Sequence, residues 1–314
     1  MFKISGFTVE KIVENLNGEV IDYGINLSGA PLEWRETTGI GINVGIIDTG
    51  IDLNHYDLKG RVKKYINFTS NDRRNVFDEN GHGTHVSGIV AASRNNFGVI
   101  GTAPMCNLYI AKAFDKNGFG KDETVIKSIN WMLENNVKII NMSFSSSSYN
   151  ETYHRSIKKA YDNGVILVCA AGNIDSGRRE YPSYPAKFNE TLCVSAVDIN
   201  AREAEFSGKS TKADISAAGY EILSCYPGNR FARLSGTSMA TPIISGCAAI
   251  LNSKAKKRKG RFLTPEEMRI VMCMYAFDTS SPGKSSNLGC GVFSFGRIRF
   301  SKNEVANLYL DSLK

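Results

Sequence analysis

Apolar residues along this chain fall into two rhythms. Short unbroken runs recur: INVGIID (Ile42 to Asp48), LYIAKAF (Leu108 to Phe114), VKIINMSF (Val137 to Phe144), VILVCAAGN (Val165 to Asn173) and TLCVSAVD (Thr191 to Asp198). Runs of this length and composition predict strands buried on both faces. Between them the spacing becomes helical. DETVIKSINWMLENN (Asp122 to Asn136) places Ile126, Ile129 and Leu133 on one face behind an acidic first turn. YHRSIKKAYDNG (Tyr153 to Gly164) predicts a helix closed by glycine. GHGTHVSGIVAA (Gly81 to Ala92) predicts a helix whose small residues permit close packing. Strands alternating with helices predict an α/β fold, a doubly wound, mainly parallel central sheet with helices on both faces. Such sheets place working residues beyond the C-terminal ends of their strands. Asp48, Ser143 and Asn173 stand at such ends. The segments 173–185 and 278–291 read as surface loops within one domain, and NEVANLYLDSLK (303–314) as a short amphipathic helix.

Composition narrows the class. The chain has 314 residues, of which 42% are hydrophobic and 22% charged. That suits one large α/β domain or two smaller ones and excludes a disordered or fibrous chain. No apolar run approaches the ~20 residues of a membrane span. The N-terminus lacks the apolar core of a secretory signal. A cytoplasmic protein without a membrane partner is the expectation. The seven cysteines are odd in number, widely spaced and without a C-x-x-C pair. They are expected to be buried free thiols rather than disulfides or metal ligands. The net charge is +7, and six of those charges lie in KAKKRKGR (Lys254 to Arg261). With no recognition motif or interleaved aromatics beside it, this run reads as a solvated loop between two helices rather than a nucleic-acid surface.

The chemistry is carried by a few polar residues at element ends. In LSGTSMATP (Leu234 to Pro242), Ser238 stands where a helix would begin, and a serine there is ordinarily a cap. Asp48 before TG, taken alone, is a turn residue, and so is Asn173 in AAGN. His82 and His85 in GHGTHVSG form an H-x-x-H pair that lacks the glutamate and third ligand of a zinc helix. His85 reads as a satisfied core histidine, and His82 as a ring able to face a cleft. DTG, HGTH, GN and GTSMATP together are hard to explain as four independent caps.

In combination and order, VGIIDTGID, GHGTHVSG, VILVCAAGN and GTSMATP resemble the subtilisin family of serine endopeptidases. The likeness runs from about residue 30 to about 300, and is nearest to the intracellular branch. It implies a catalytic domain over 31–301, an N-terminal extension over 1–30 and a C-terminal tail over 302–314. It implies that Ser238 is the nucleophile, His82 the general base and acid, and Asp48 the residue orienting His82. Asn173 and backbone N–H groups would form the oxyanion hole. The order Asp, His, Ser is the family's own. Substrate would be an unfolded or flexible polypeptide lying between Gly118, Phe119 and Gly120 on one side and Ser143, Phe144 and Ser145 on the other. Ala170, Ala171, Gly172 and Ser183 would line the first side-chain pocket. Ser145 and Ser183 stand where the family usually has glycine, which favours small or medium apolar side chains. Calcium is the implied cofactor, with Asp57 and Asn95 as ligands. The resemblance implies no nucleic-acid partner and leaves room for a homodimer.

Two expectations concern regulation and class. Only a short extension precedes Asp48, as in the intracellular branch, where such a stretch can lie over the cleft. Residues from about Gly18 to Ala30 are expected to cross it, although the branch's proline-containing motif is absent. A plain structural arm is the rival. The alternative to an enzyme is a catalytically silent binding module on the same fold. A processor of one dedicated partner and an ester hydrolase are further readings, but the chain lacks a G-x-S-x-G elbow.

Overall fold

The computed structural model describes residues 1–4, 6–174, 183–208, 212–277 and 287–296. The tail over 302–314, its expected helix and most of the 278–291 loop lie outside the described residues, as do 175–182 of the 173–185 loop. A nine-stranded sheet runs through the molecule. From one edge its order is Ala276–Phe277, Val292–Phe293, Ile215–Ala218, Thr191–Val197, Ile166–Ala170, Ile139–Met142, Asn43–Asp48, Asn107–Lys112 and Val62–Asn67. Neighbours pair in parallel except Ala276–Phe277 with Val292–Phe293. The five apolar runs all enter this sheet, trimmed by a few residues at their ends.

Period-two alternation divides each strand between two cores. Val44, Ile46, Ile139, Ile166 and Val168 join the core formed with helices His82–Ala91 and Thr237–Lys259. Ile47, Ile140, Met142, Leu167 and Cys169 join the other, formed with helices Asp122–Glu134 and Glu151–Asp162. Helices on both faces explain why the strands read as unbroken apolar runs. The buried stripe of Asp122–Glu134 is Val125, Ser128, Ile129 and Met132. It is rotated slightly from the predicted face, with Ile126 and Leu133 at its margins. Strand Asn43–Asp48 lies between Ile139–Met142 and Asn107–Lys112. The chain winds outward in opposite directions from there. A crevice at this switch point is where such sheets bind ligands.

Two expectations are corrected here. The basic run is not a loop: helix Thr237–Lys259 continues through it to Gly260, which closes it in the left-handed region at φ 71°. Lys254 is only 3% exposed and pairs with Glu33 at 2.8 Å and Glu36 at 3.4 Å. Arg258 pairs with Glu36 at 3.0 Å, and Arg261 with Glu267 at 2.7 Å. Cations also suit the negative end of a helix. The second correction is a disulfide between Cys273 and Cys290, with Cα atoms 5.3 Å apart. The antiparallel pairing of 276–277 with 292–293 brings the end of helix Pro265–Met274 beside the 287–291 turn. The other five cysteines are buried and not disulfide-bonded.

Candidate active site

Asp48 ends the strand Asn43–Asp48, and His82 opens the helix His82–Ala91. The helix can approach the strand end because residue 83 is glycine. A Cβ there would lie 2.2 Å from the Gly50 carbonyl oxygen. His82 Nδ1 donates to Asp48 Oδ1 at 2.8 Å, and both side chains are fully buried. The Thr49 N–H donates to the same oxygen at 2.7 Å. Nδ1 therefore carries the proton and Nε2 is the basic nitrogen. His82 Nε2 is buried without a hydrogen-bond partner. His85, one turn on, shares its Nε2 proton between the carbonyls of Ile222 and Ala232, 3.0 Å from each. Burial holds its pKa down at about 3. It is a neutral core residue, with Nε2 engaged and Nδ1 buried without a partner.

Ser238 lies in the first turn of Thr237–Lys259. Its hydroxyl donates to the Ser143 carbonyl at 3.1 Å, so the link to His82 is not made in this conformation. Ser143 answers by donating its own hydroxyl to the Ser238 carbonyl at 3.0 Å. That carbonyl would normally accept from the residue four positions on. The residue there is Pro242, which has no N–H. The proline thus frees the carbonyl that couples the nucleophile to Ser143.

Asn173 follows strand Ile166–Ala170. Its Oδ1 accepts from the Thr237 N–H at 2.9 Å and the Thr237 hydroxyl at 2.8 Å. With its oxygen committed, its amide nitrogen must face the cleft, where it donates to the Gly6 carbonyl. Thr237 is thus an orienting residue that motif reading missed; the signal was its place directly before the serine. Residue 236 must be small, since a Cβ there would lie 3.0 Å from Asn173 Nδ2.

The two predicted substrate edges do not pair with each other. Strand Phe2–Ile4 lies between them, antiparallel to both Phe119–Gly120 and Phe144–Ser145. Ile4 N–H donates to Gly118 O at 2.9 Å. Phe2, 1% exposed, meets Phe144 and Tyr153 edge-on, with ring centroids 5.5 and 4.7 Å away. Phe7 packs its ring over His82 at 4.9 Å. Thr8–Val13 then pairs with Arg230–Ser235. The residues in the cleft are therefore Phe2–Ile4, Gly6 and Phe7, not Gly18 to Ala30. Asp22 caps a short helix, Tyr23–Leu27, and Glu19–Val20 pairs with Gly98–Val99. Short-range reading could not find this, because the partners lie more than 100 residues away. Ala170 ends strand Ile166–Ala170, Ala171 and Gly172 lead from it to Asn173, and Ser183, 8% exposed, lies beside Gly172.

The expected metal ligands also meet. Asp57 is fully buried; its Oδ1 accepts from Asn95 Nδ2 at 3.0 Å and its Oδ2 from Val99 N–H at 2.8 Å. Asn95 Oδ1 accepts from Phe97 N–H at 2.9 Å. Glu19, which the sequence did not suggest, accepts from the N–H groups of Asn95 and Asn96 at 2.7 and 2.9 Å. Burial pushes the Asp57 carboxyl up, and the Glu19 charge adds a smaller push. Neighbouring His55 faces the Arg230 carbonyl at 2.9 Å and accepts from Asp57 N–H at 3.2 Å, so both its nitrogens are already engaged. Asp57, Asn95 and Glu19 carry oxygens of the kind a hard divalent cation takes, and these oxygens here accept N–H groups. Asn95 now turns its nitrogen, not its oxygen, toward Asp57.

This arrangement supports acyl transfer. A carbonyl placed where Gly6 O now lies faces the Asn173 amide and a helix N-terminus, both favourable to developing negative charge. A turn of the Ser238 side chain toward His82 Nε2 would let the histidine take the hydroxyl proton and pass it to the leaving amine.

Comparison with known proteins agrees. Residues 39–291 match the Subtilase family of peptidases. An intracellular serine protease of Paenibacillus polymyxa is 39% identical over 253 residues, covering 79% of this chain and 78% of the relative. The major intracellular serine protease of Bacillus subtilis strain 168 is 39% identical, covering 78% of this chain and 79% of its own. Subtilisin DY of Bacillus licheniformis is 40% identical, covering 75% and 86%. By the family match over residues 39–291 and these relatives, the chain belongs to the subtilase family and is a subtilisin-like serine endopeptidase.

Proposed function

We propose that this protease cuts flexible polypeptides in the cytoplasm, carries calcium, and is restrained by its own Phe2–Ile4, Gly6 and Phe7. The observation that carries the reading is strand Phe2–Ile4 seated between the two trench edges. It supports an extended, flexible substrate, because backbone pairing needs a chain free of its own secondary structure. It supports restraint because the same segment puts Gly6 against Asn173 and Phe7 against His82. A segment on the same chain competes with substrate at high effective concentration. Ser238 is turned from His82, which favours slow rather than immediate cutting of the occupying segment.

The cytoplasmic reading rests on the names of the two intracellular relatives. No helix among the described residues is long and apolar enough to cross a membrane. For calcium, Asp57, Asn95 and Glu19 would supply side-chain oxygens, and the cation would relieve the buried charge of Asp57. Bound there it would supply stability, remote from the reacting atoms. Ser183 beside Gly172 favours small or medium apolar side chains in the first pocket.

The test follows intact mass and peptidase rate in one sample over time. The parent is expected to gain rate as it loses N-terminal residues. Ser238→Ala is expected to keep its N-terminus, fold normally by circular dichroism and show no hydrolysis. Full rate from the first point with residues 2–7 attached would refute restraint. Hydrolysis by Ser238→Ala would refute the serine mechanism.

A further inference from the structure

A second carboxylate, Asp78, lies behind the catalytic aspartate and is only 1% exposed. Its Oδ1 accepts from the Thr49 hydroxyl at 2.8 Å, the Gly81 N–H at 2.9 Å and the Asn80 N–H at 3.2 Å. Its Oδ2 accepts from the Thr84 N–H at 2.8 Å and the Thr84 hydroxyl at 2.7 Å. The helix that carries His82 has Gly81 at its N-cap, with no capping side chain of its own. Asp78 fills that role from outside the helix, satisfying N–H groups that would otherwise be orphaned.

Thr49 makes the connection to chemistry. Its hydroxyl oxygen accepts from the Gly83 N–H at 3.0 Å and lies between two carboxylates, 2.8 Å from Asp78 and 3.2 Å from Asp48. A hydroxyl has one proton to give. The shorter contact assigns it to Asp78. Asp48 Oδ1 then answers only to the Thr49 N–H and to His82, and its Oδ2 has no partner. Nearby, Lys112 Nζ donates to the carbonyls of Thr49 at 2.8 Å and Phe77 at 2.7 Å. It pins the chain after Asp48 and before Asp78, and its single positive charge lies near both buried acids and 3.9 Å from Glu79.

We infer that Asp78 is a positioning residue of the catalytic apparatus: it fixes the helix start that carries His82, and it draws the Thr49 proton away from Asp48. This keeps the Asp48 charge for His82, whose protonated form must be stabilised as Ser238 attacks. An amide at position 78 can accept from Thr84 N–H only by turning its NH2 toward Thr49. The Thr49 hydroxyl would then swing to Asp48 and compete with His82. The opposite rotamer sets the NH2 against the Thr84 N–H. Both lose the charge.

The test is Asp78→Asn, with active sites counted by a serine-directed covalent probe so that only folded enzyme enters kcat. We expect kcat per labelled site to fall about tenfold or more, as for loss of one charge-assisted hydrogen bond, with KM little changed. In a Thr49→Val background, Asp78→Asn should cost less than about threefold, because no hydroxyl remains to divert. Unchanged kcat per site with fewer labelled sites would reduce Asp78 to a structural cap and overturn the inference. So would equal losses in both backgrounds. Should Asp78→Asn yield no labelled sites, Thr49→Val decides alone. An acid limb of its kcat/KM pH profile that matches the parent's leaves the proton on Asp78, while a limb moved to higher pH assigns it to Asp48 and overturns the inference.

Discussion

Truncating Phe2 to alanine should release the cleft. In the structure the Phe2 ring is 1% exposed and bounded edge-on by Phe144 and Tyr153. Full burial of such a side chain is worth about 1.5–3 kcal/mol. Each aromatic edge contact adds about 0.5–1.5 kcal/mol, and immobilising the side chain returns about 0.5–1.5 kcal/mol. The net loss on truncation is about 3 kcal/mol. At about 1.4 kcal/mol per factor of ten, docking of strand Phe2–Ile4 weakens on the order of 100-fold. Pairing of Thr8–Val13 with Arg230–Ser235 is left intact, so the segment stays tethered beside the cleft. Progress curves with a short chromogenic peptide are the assay. The parent should show a lag or a low initial rate, and Phe2→Ala a higher initial rate reaching the same plateau. Identical initial rates without a lag in either protein would mean that the segment does not exclude substrate.

Asn173→Ala should lower kcat by about 10²–10³-fold with little change in KM, a magnitude set by measurements on subtilisin rather than by this structure; a KM effect with kcat intact would make Asn173 a scaffold residue. Calcium should raise the melting temperature relative to chelator, corresponding to about 2.7 kcal/mol at a hundredfold excess over Kd, and Asp57→Ala should shrink that difference; equal melts of the parent would remove calcium. His85 has a folded pKa of about 3, below its ordinary 6.5. The unfolded chain therefore takes up the proton first as pH falls. The stability linked to His85 is fully present above about pH 6.5 and is lost toward pH 3, on the order of 4–5 kcal/mol in all. Urea unfolding at pH 7 and pH 5 should show a smaller loss for His85→Gln than for the parent, and an equal loss would refute this account.

Much of the catalytic apparatus could be read locally. A strand buried on both faces is apolar throughout, and a helix that must approach a strand end needs glycine, so INVGIIDTG and GHGTH carry their own structural meaning. Asp48, His82, Asn173 and Ser238 stand at strand ends and helix starts, which a doubly wound sheet gathers on one side. What stayed hidden depends on partners far away in sequence. The basic run looked solvated because no acidic residue lies within it, yet Glu33 and Glu36, more than 200 residues earlier, neutralise Lys254 and Arg258 and let a helix continue through them. Phe2 and Ile4 carry no sign that they will enter a trench whose walls come from residues 118–120 and 143–145. Asp78 reads as one polar residue among many in FDENG, and its role appears only when the fold closes it against Thr49 and Thr84. Backbone preference and apolar period act over a few residues and are written in the sequence. Charge pairing, strand addition and the allocation of a single proton act between atoms in contact, and only the tertiary fold decides which atoms those are.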